Sequence, residues 1–277
     1  MKTTFALTAF ASTLLSTLLA CASASAADFS NNFIGYRYAP TQSEPGVSDK
    51  VAKNVLTFTH VSGDKLGLNF FTIDLLKSNA ADPANGGGGG AVEWYGFYQR
   101  DFSMNALTGN TTGYGFAKDI KLVARGDAGT KNTRFAPSPR KLRLGVSAAL
   151  PVSAGFWDVG VQAYKESNHN GIVGKAVHFD LAPALVTAWS IPVGVATFGG
   201  FVDVIGPKGK DGFGVETKTE VLARAKLMFN VMGPTSGLAV GFGVEHWNNK
   251  FGNNNSIAFV KNSARATTAL LLLEYKL

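Results

Sequence analysis

The chain has 277 residues, 45% of them hydrophobic and 16% charged, with a formal net charge of +7 and a single cysteine, Cys21. Without a cysteine pair it is no disulfide-stapled module, and its basic residues are scattered rather than gathered into an arm, so no nucleic-acid partner is expected. A charged fraction below the roughly 25% usual for soluble domains leaves apolar surface that must find a place other than water.

The first segment, residues 1–26, carries Lys2, an apolar run from Phe5 to Ala20 and the small-residue site Ala24-Ser25-Ala26. This is the pattern of a secretory signal peptide, so the working chain is expected to span residues 27–277 outside the cytoplasm. Cys21 falls inside that leader; read instead as a lipoprotein site, Leu18 to Cys21 would leave Cys21 as a lipidated N-terminus.

Beyond residue 27 no apolar run approaches the ~20 residues of a transmembrane helix. Instead, short segments alternate between two faces, at 31–38, 53–62, 65–76, 91–102, 118–126, 140–150, 156–165, 177–188, 193–205, 216–229, 237–247 and 264–277. Most are near the ~9–11 residues that a tilted strand needs to cross the hydrocarbon layer. Their connections alternate in length. Long ones include 39–52, the glycine run ending at Gly90, and 248–262; short ones include 62–64, 151–155 and the Ser190 to Pro192 corner, with Ser103 to Ala117 an exception. Short turns on one rim and long loops on the other are the habit of bacterial outer-membrane barrels.

In the tenth segment Lys218, Glu220, Arg224 and Lys226 alternate with Val221, Ala223, Ala225, Leu227 and Phe229. A strand between lipid and a lumen needs that period of two. The predicted fold is therefore all-β: a transmembrane, antiparallel, up-and-down β-barrel of about 12 strands in the outer membrane of a Gram-negative bacterium, in contact with its lipid. A soluble β-sandwich would also alternate. Against it stand strands longer than the roughly 5–6 residues usual in globular sheets, and Trp94, Trp157, Trp189 and Trp247 near predicted strand ends, where a membrane interface would hold them.

From "FSMNALTG" (Phe102 to Gly109) and "YGFAKDIKLVARGD" (from Tyr114), through "KLRLGVSAALPV", "GFGVEHWNNKFG" and the closing "FVKNSARATTALLLLEYKL", the chain resembles the Tsx-type nucleoside-specific channels of outer membranes. The resemblance is loose and spans nearly the whole working chain. It implies a monomeric barrel of twelve strands with a narrow, aromatic-containing lumen that passes nucleosides. The chain departs from the family at Phe97, Gln99 and Asp101, where alternating acidic residues and an Arg are the family's habit, and at its last residue, Leu277 in place of Phe.

A nucleoside path needs aromatic faces for the base and hydrogen-bonding groups for the ribose. By strand parity the candidate solute-binding lumen residues are Asn69, Phe71, Glu93, Tyr95, Phe97, Gln99, Asp101, Arg125, Arg143, Tyr164, Lys218, Glu220, Arg224, Glu245 and Trp247, with Lys121, Asp158, Gln162 and Asp203 beside them. Any one of these charges could equally be a structural ion-pair partner within the lumen. Both signs are present, so strong ion selection is not expected.

No catalytic residue, metal ligand or cofactor is expected: there is no G-x-S-x-G elbow, no H-E-x-x-H, and the glycines 86–90 precede a strand rather than a helix. The sequence reads as a channel for small solutes, nucleosides included. Two rivals stay open: a closed barrel whose loops bind a partner, and a membrane-embedded lipid hydrolase using one of His60, His169, His178 or His246.

Overall fold

The computed structural model describes residues 27–233 and 236–277; the expected signal peptide and Cys21 lie outside the described residues. The strands are β1 (Phe29–Gln42), β2 (Val51–Asp64), β3 (Gly67–Ser78), β4 (Val92–Ser103), β5 (Asp119–Lys131), β6 (Arg140–Ala149), β7 (Phe156–Asn170), β8 (Lys175–His178), β9 (Ala182–Val193), β10 (Ala196–Ile205), β11 (Glu220–Asn230), β12 (Leu238–Asn248) and β13 (Ala266–Lys276). Each wall strand pairs antiparallel with its neighbours, β1 pairs with β13, and β6 with β7 completes the ring. The four-residue β8 pairs only with the end of β7, as a hairpin extending beyond the wall. Twelve strands thus form a closed antiparallel barrel with no open edge.

Several boundaries differ from expectation. β5 runs on to Lys131 because Gly126 and Gly129, which read as turn formers, lie within the strand. At Gly129 an added Cβ would stand 2.9 Å from both the Trp94 carbonyl and the Tyr95 ring, so glycine is what lets the two strands pass. β9 begins at Ala182 because the preceding residues fold back as β8. β11 begins at Glu220 because Thr217 and Lys218 are tied into loops, Thr217 Oγ1 accepting from Lys208 N at 2.8 Å and Lys218 N donating to the Gly252 carbonyl at 2.9 Å.

One rim carries the connections 43–50, 79–91, 132–139, 171–181, 206–219 and 249–265; the other carries 65–66, 104–118, 150–155, 194–195 and 231–237. The long exception on the short-turn rim contains the single-turn helix α1 (Met104–Thr108), capped by Ser103 Oγ, which accepts from Ala106 N at 3.1 Å.

The two faces of the wall separate by chemistry. Leu56, Leu75, Leu144, Val161, Leu185, Phe242 and Leu271 stand exposed on the outside as an apolar belt. Their strand neighbours turn inward. On the half nearer the short-turn rim the inward positions include the small residues Gly35, Gly145, Gly160, Ala188, Gly199, Gly241 and Gly243. Toward the long-loop rim they include large polar side chains, and Arg143, Tyr164 and Thr268 are almost wholly buried. Trp157 and Trp189 are cross-strand partners on the outside, and Trp94 is also outward, opposite Leu75. Trp247 is the exception, turned inward to donate from Nε1 to Glu220 Oε1 at 2.8 Å.

Candidate functional site

Midway along the lumen the strands present four arginines, each against an acid. Arg37 pairs with Asp74 at 3.0 Å, Arg125 with Asp127 at 2.7 Å, Arg143 with Asp203 at 2.7 Å and Arg224 with Glu245 at 2.5 Å. Thr57 Oγ1 donates to Asp74 at 2.6 Å and Gln42 Nε2 to Glu245 at 2.6 Å, so the acids are held from a second side. Ionised groups removed from water need such partners, because an unpaired charge in a low-dielectric wall is costly. The arrangement is neutral in sum and polar in detail.

Aromatic faces are built into the same tier. Phe97 stacks on Phe70 with ring centroids 5.4 Å apart, and the Arg125 guanidinium lies 3.5 Å over the Phe97 ring. Since β3 and β5 flank β4 on opposite sides, Phe97 is the middle of a Phe70–Phe97–Arg125 stack. Tyr95 donates to Asp127 Oδ2 at 2.5 Å and accepts from Lys141 Nζ at 3.2 Å. Across the lumen Arg224 lies over Phe201 and Arg143 over Tyr164, at 5.3 and 4.9 Å.

Above this tier the loops enter the barrel. Glu44, from the 43–50 loop, is almost completely buried and meets Lys53 of β2 at 2.6 Å, Lys131 of β5 at 2.9 Å and Lys250 of the 249–265 loop at 2.8 Å. Burial alone would raise the Glu44 carboxyl, but Lys250, Lys53 and Lys131 reverse that and hold it well below the usual carboxylate range. Lys250 carries the cost: burial, with Lys53 and Lys131 adding to it, lowers its ammonium despite Glu44. On the far side Lys208, from the 206–219 loop, is buried against Glu166 of β7 and the Phe179 ring. Phe135, Phe213 and Phe259, each from a different loop on the long-loop rim, cluster with centroids 6.4–6.5 Å apart, Phe135 and Phe213 edge to face and the other two pairs tilted.

Most of the sequence-derived residues fall on the inner face. Glu93, Tyr95, Phe97, Gln99, Asp101, Arg125, Arg143, Tyr164, Glu220, Arg224, Glu245 and Trp247 share it by strand pairing, as do Lys121, Asp158, Gln162 and Asp203. Two do not. Asn69 and Phe71 pair with Arg100 and Tyr98 and face outward, while Phe70, Thr72 and Asp74 take the lumen positions. The adjacent phenylalanines hide the parity of β3; Asp74, an acid that needs a partner, is the residue that fixes it. Lys218 is exposed in a loop, two residues before β11 begins. Sequence parity missed Arg37, Lys53, Asp127 and Lys141 on the wall, and Glu44, Lys208 and Lys250 in the loops.

Of the histidines, His60 is the one beside a serine hydroxyl: it faces outward on β2, with Nε2 3.1 Å from Ser62 Oγ and Nδ1 2.8 Å from Asn32 Oδ1.

No family model matches the chain, and no curated protein matches it. Solved structures similar to it include the KdgM porin, at 9% identity over 88% of this chain and 98% of that one, with a TM-score of 0.44. The translocator domain of autotransporter NalP from Neisseria meningitidis is similar at 11% identity over 98% and 96%, with a TM-score of 0.45. OccK5 (OpdH) of Pseudomonas aeruginosa is similar at 11% identity over 90% and 97%, with a TM-score of 0.30. These are likenesses of barrel architecture; the fold itself rests on the closed strand ladder.

Proposed function

We propose that this chain is an outer-membrane channel through which small polar solutes diffuse, nucleosides being the class that the Tsx resemblance implies. The observation that carries the reading is the division of faces: an apolar belt outside, and inside it a tier of internally neutralised arginines and stacked aromatic rings. Paired charges of both signs offer hydrogen bonds without strong ion selection. Planar faces suit a base, and twelve strands enclose a lumen narrow enough for a solute to touch several walls. The test is conductance of the refolded protein in a planar bilayer with and without millimolar adenosine or thymidine. Small steps that a nucleoside partly blocks support the reading; steps that no nucleoside touches keep the channel and remove the solute class.

A second reading draws on the outward His60. A serine hydroxyl, an imidazole and an asparagine amide in sequence are the parts of a nucleophilic site, and a lipid-facing wall would offer it acyl esters. Ser62 is itself buried. Fatty acid released from phospholipid vesicles by the wild type and lost in Ser62→Ala would establish this reading, and no release would end it.

A further inference from the structure

Among the acids paired inside the barrel, loops carry Glu44 and Asp82, and Glu44 is the one that meets three lysines. Asp74, Asp127, Asp203 and Glu245 sit on strands, and the ladder fixes their places. The 43–50 loop is held by side-chain contacts: Gly46 N donates to Ser263 Oγ at 2.8 Å, Lys50 Nζ donates to Ser43 Oγ at 2.8 Å, and Glu44 meets its three lysines. Two of those lysines have another acid, Glu93 at 3.2 Å for Lys53 and Asp82 at 2.7 Å for Lys131. Lys250 has Glu44 and the Ser43 carbonyl, at 2.8 and 3.1 Å, both from the same loop. If residues 43–50 lift away, Lys250 loses both partners, and the cradle keeps one positive charge beside the Trp247 and Phe251 rings, 4.4 and 5.2 Å from its ammonium.

We propose that Lys53, Lys131 and Lys250 form a binding site for the carboxylate of a small solute, that Glu44 occupies this site as a tethered competitor, and that a solute carboxylate displacing Glu44 opens the loop-covered mouth. The gating part rests on the channel reading above. The physical requirement is a ligand that binds the two states differently, and a cradle filled by Glu44 in one state and vacated in the other supplies that difference. A carboxylate at ten times its dissociation constant for the vacated cradle would raise the open population relative to the closed about 11-fold.

The working chain from residue 27 onward has no cysteine, so two can be introduced without background. Asp49→Cys on the loop and Lys175→Cys on β8 are both exposed positions for spin labels, and pulsed electron–electron resonance reads their separation. With acetate replacing chloride at fixed ionic strength, a longer distance should appear and grow hyperbolically, while glucose at equal concentration leaves the distribution unchanged. Glu44→Gln should show the long distance without acetate, and Glu44→Asp, which keeps the charge on a shorter arm, should respond at lower acetate. Lys250→Met should lose the acetate response. An unchanged distribution in the wild type at 100 mM acetate, or a full response in Lys250→Met, overturns the proposal. Conductance of a variant whose 43–50 loop is replaced by a short Gly-Ser link separates the two claims. Acetate-driven loop motion with no conductance in that variant retains the site and removes the channel; conductance with no loop motion does the reverse.

Discussion

Glu44 and Lys250, separated by 206 positions in the sequence, meet at 2.8 Å in the mouth of the barrel and tie the loop after β1 to the loop after β12. These loops flank the seam where the first and last strands pair. Both partners are buried, so much of their attraction offsets lost hydration. Separating them leaves a buried charge without its partner, which makes the contact a specific latch rather than a general source of stability.

That latch has a defined pH dependence. The Glu44 carboxyl titrates below its value in a free loop, so its stabilising contribution is complete above the usual range near ~4.3 and is lost as pH falls through the lower value of the closed state. A spin label at Asp49→Cys should therefore stay ordered from pH 8 to 5 and gain mobility only well below the ordinary carboxylate range. Release between pH 7 and 5 would mean that Glu44 does not hold the loop.

The division of faces can be tested within one strand. Leu271 is exposed on the outside of β13, and Leu272 beside it turns inward opposite Arg37. An arginine on the lipid face near the bilayer midplane costs about 2–4 kcal/mol, whereas lumen positions tolerate charge. Leu271→Arg should lower the unfolding free energy of the refolded barrel by that amount, read as a lower denaturant midpoint at unchanged slope, with Leu272→Arg costing clearly less. Equal costs would contradict a lipid-facing Leu271.

The arginine tier predicts opposite changes in ion preference. Asp74→Asn leaves Arg37 without its acid and should bias the pore toward anions, while Arg143→Gln leaves Asp203 uncompensated and should bias it toward cations. Reversal potentials across a potassium chloride gradient should move in opposite directions, each by several-fold in permeability ratio. Shifts of the same sign would place at least one of these pairs outside the conducting path.

Much of this architecture was legible because a wall between lipid and lumen writes the same two-residue period into every strand. The number of wall strands and the alternation of loop lengths came from that rule. It failed where the local signal was degenerate: Phe70 and Phe71 present the same chemistry to both faces of β3, and the strand glycines Gly126 and Gly129 look like a turn. The loop latch was not legible at all. Nothing in the spacing of Glu44, Lys53, Lys131 and Lys250 records their meeting, because it depends on barrel closure and on two loops folding inward from strands that adjoin only after the first and last pair.

The Phe70–Phe97–Arg125 stack makes the sharpest test of the solute class. A base passing the tier finds Phe97 covered on both sides, so it would have to stack on an end of the column, at Phe70 or at the Arg125 guanidinium. Phe97→Leu removes the middle plane, releasing Phe70 from its partner and Arg125 from its cation–π support, while keeping an apolar side chain of similar reach. Stacking a base on such a platform is worth about 1–3 kcal/mol, so adenosine should block the variant with an affinity at least ~5-fold weaker. Tyr95→Phe, which deletes only the hydroxyl donated to Asp127, should change the block less than Phe97→Leu does. If adenosine blocks Phe97→Leu as tightly as the wild type, the aromatic column is structural and any nucleoside path runs along another wall of the lumen.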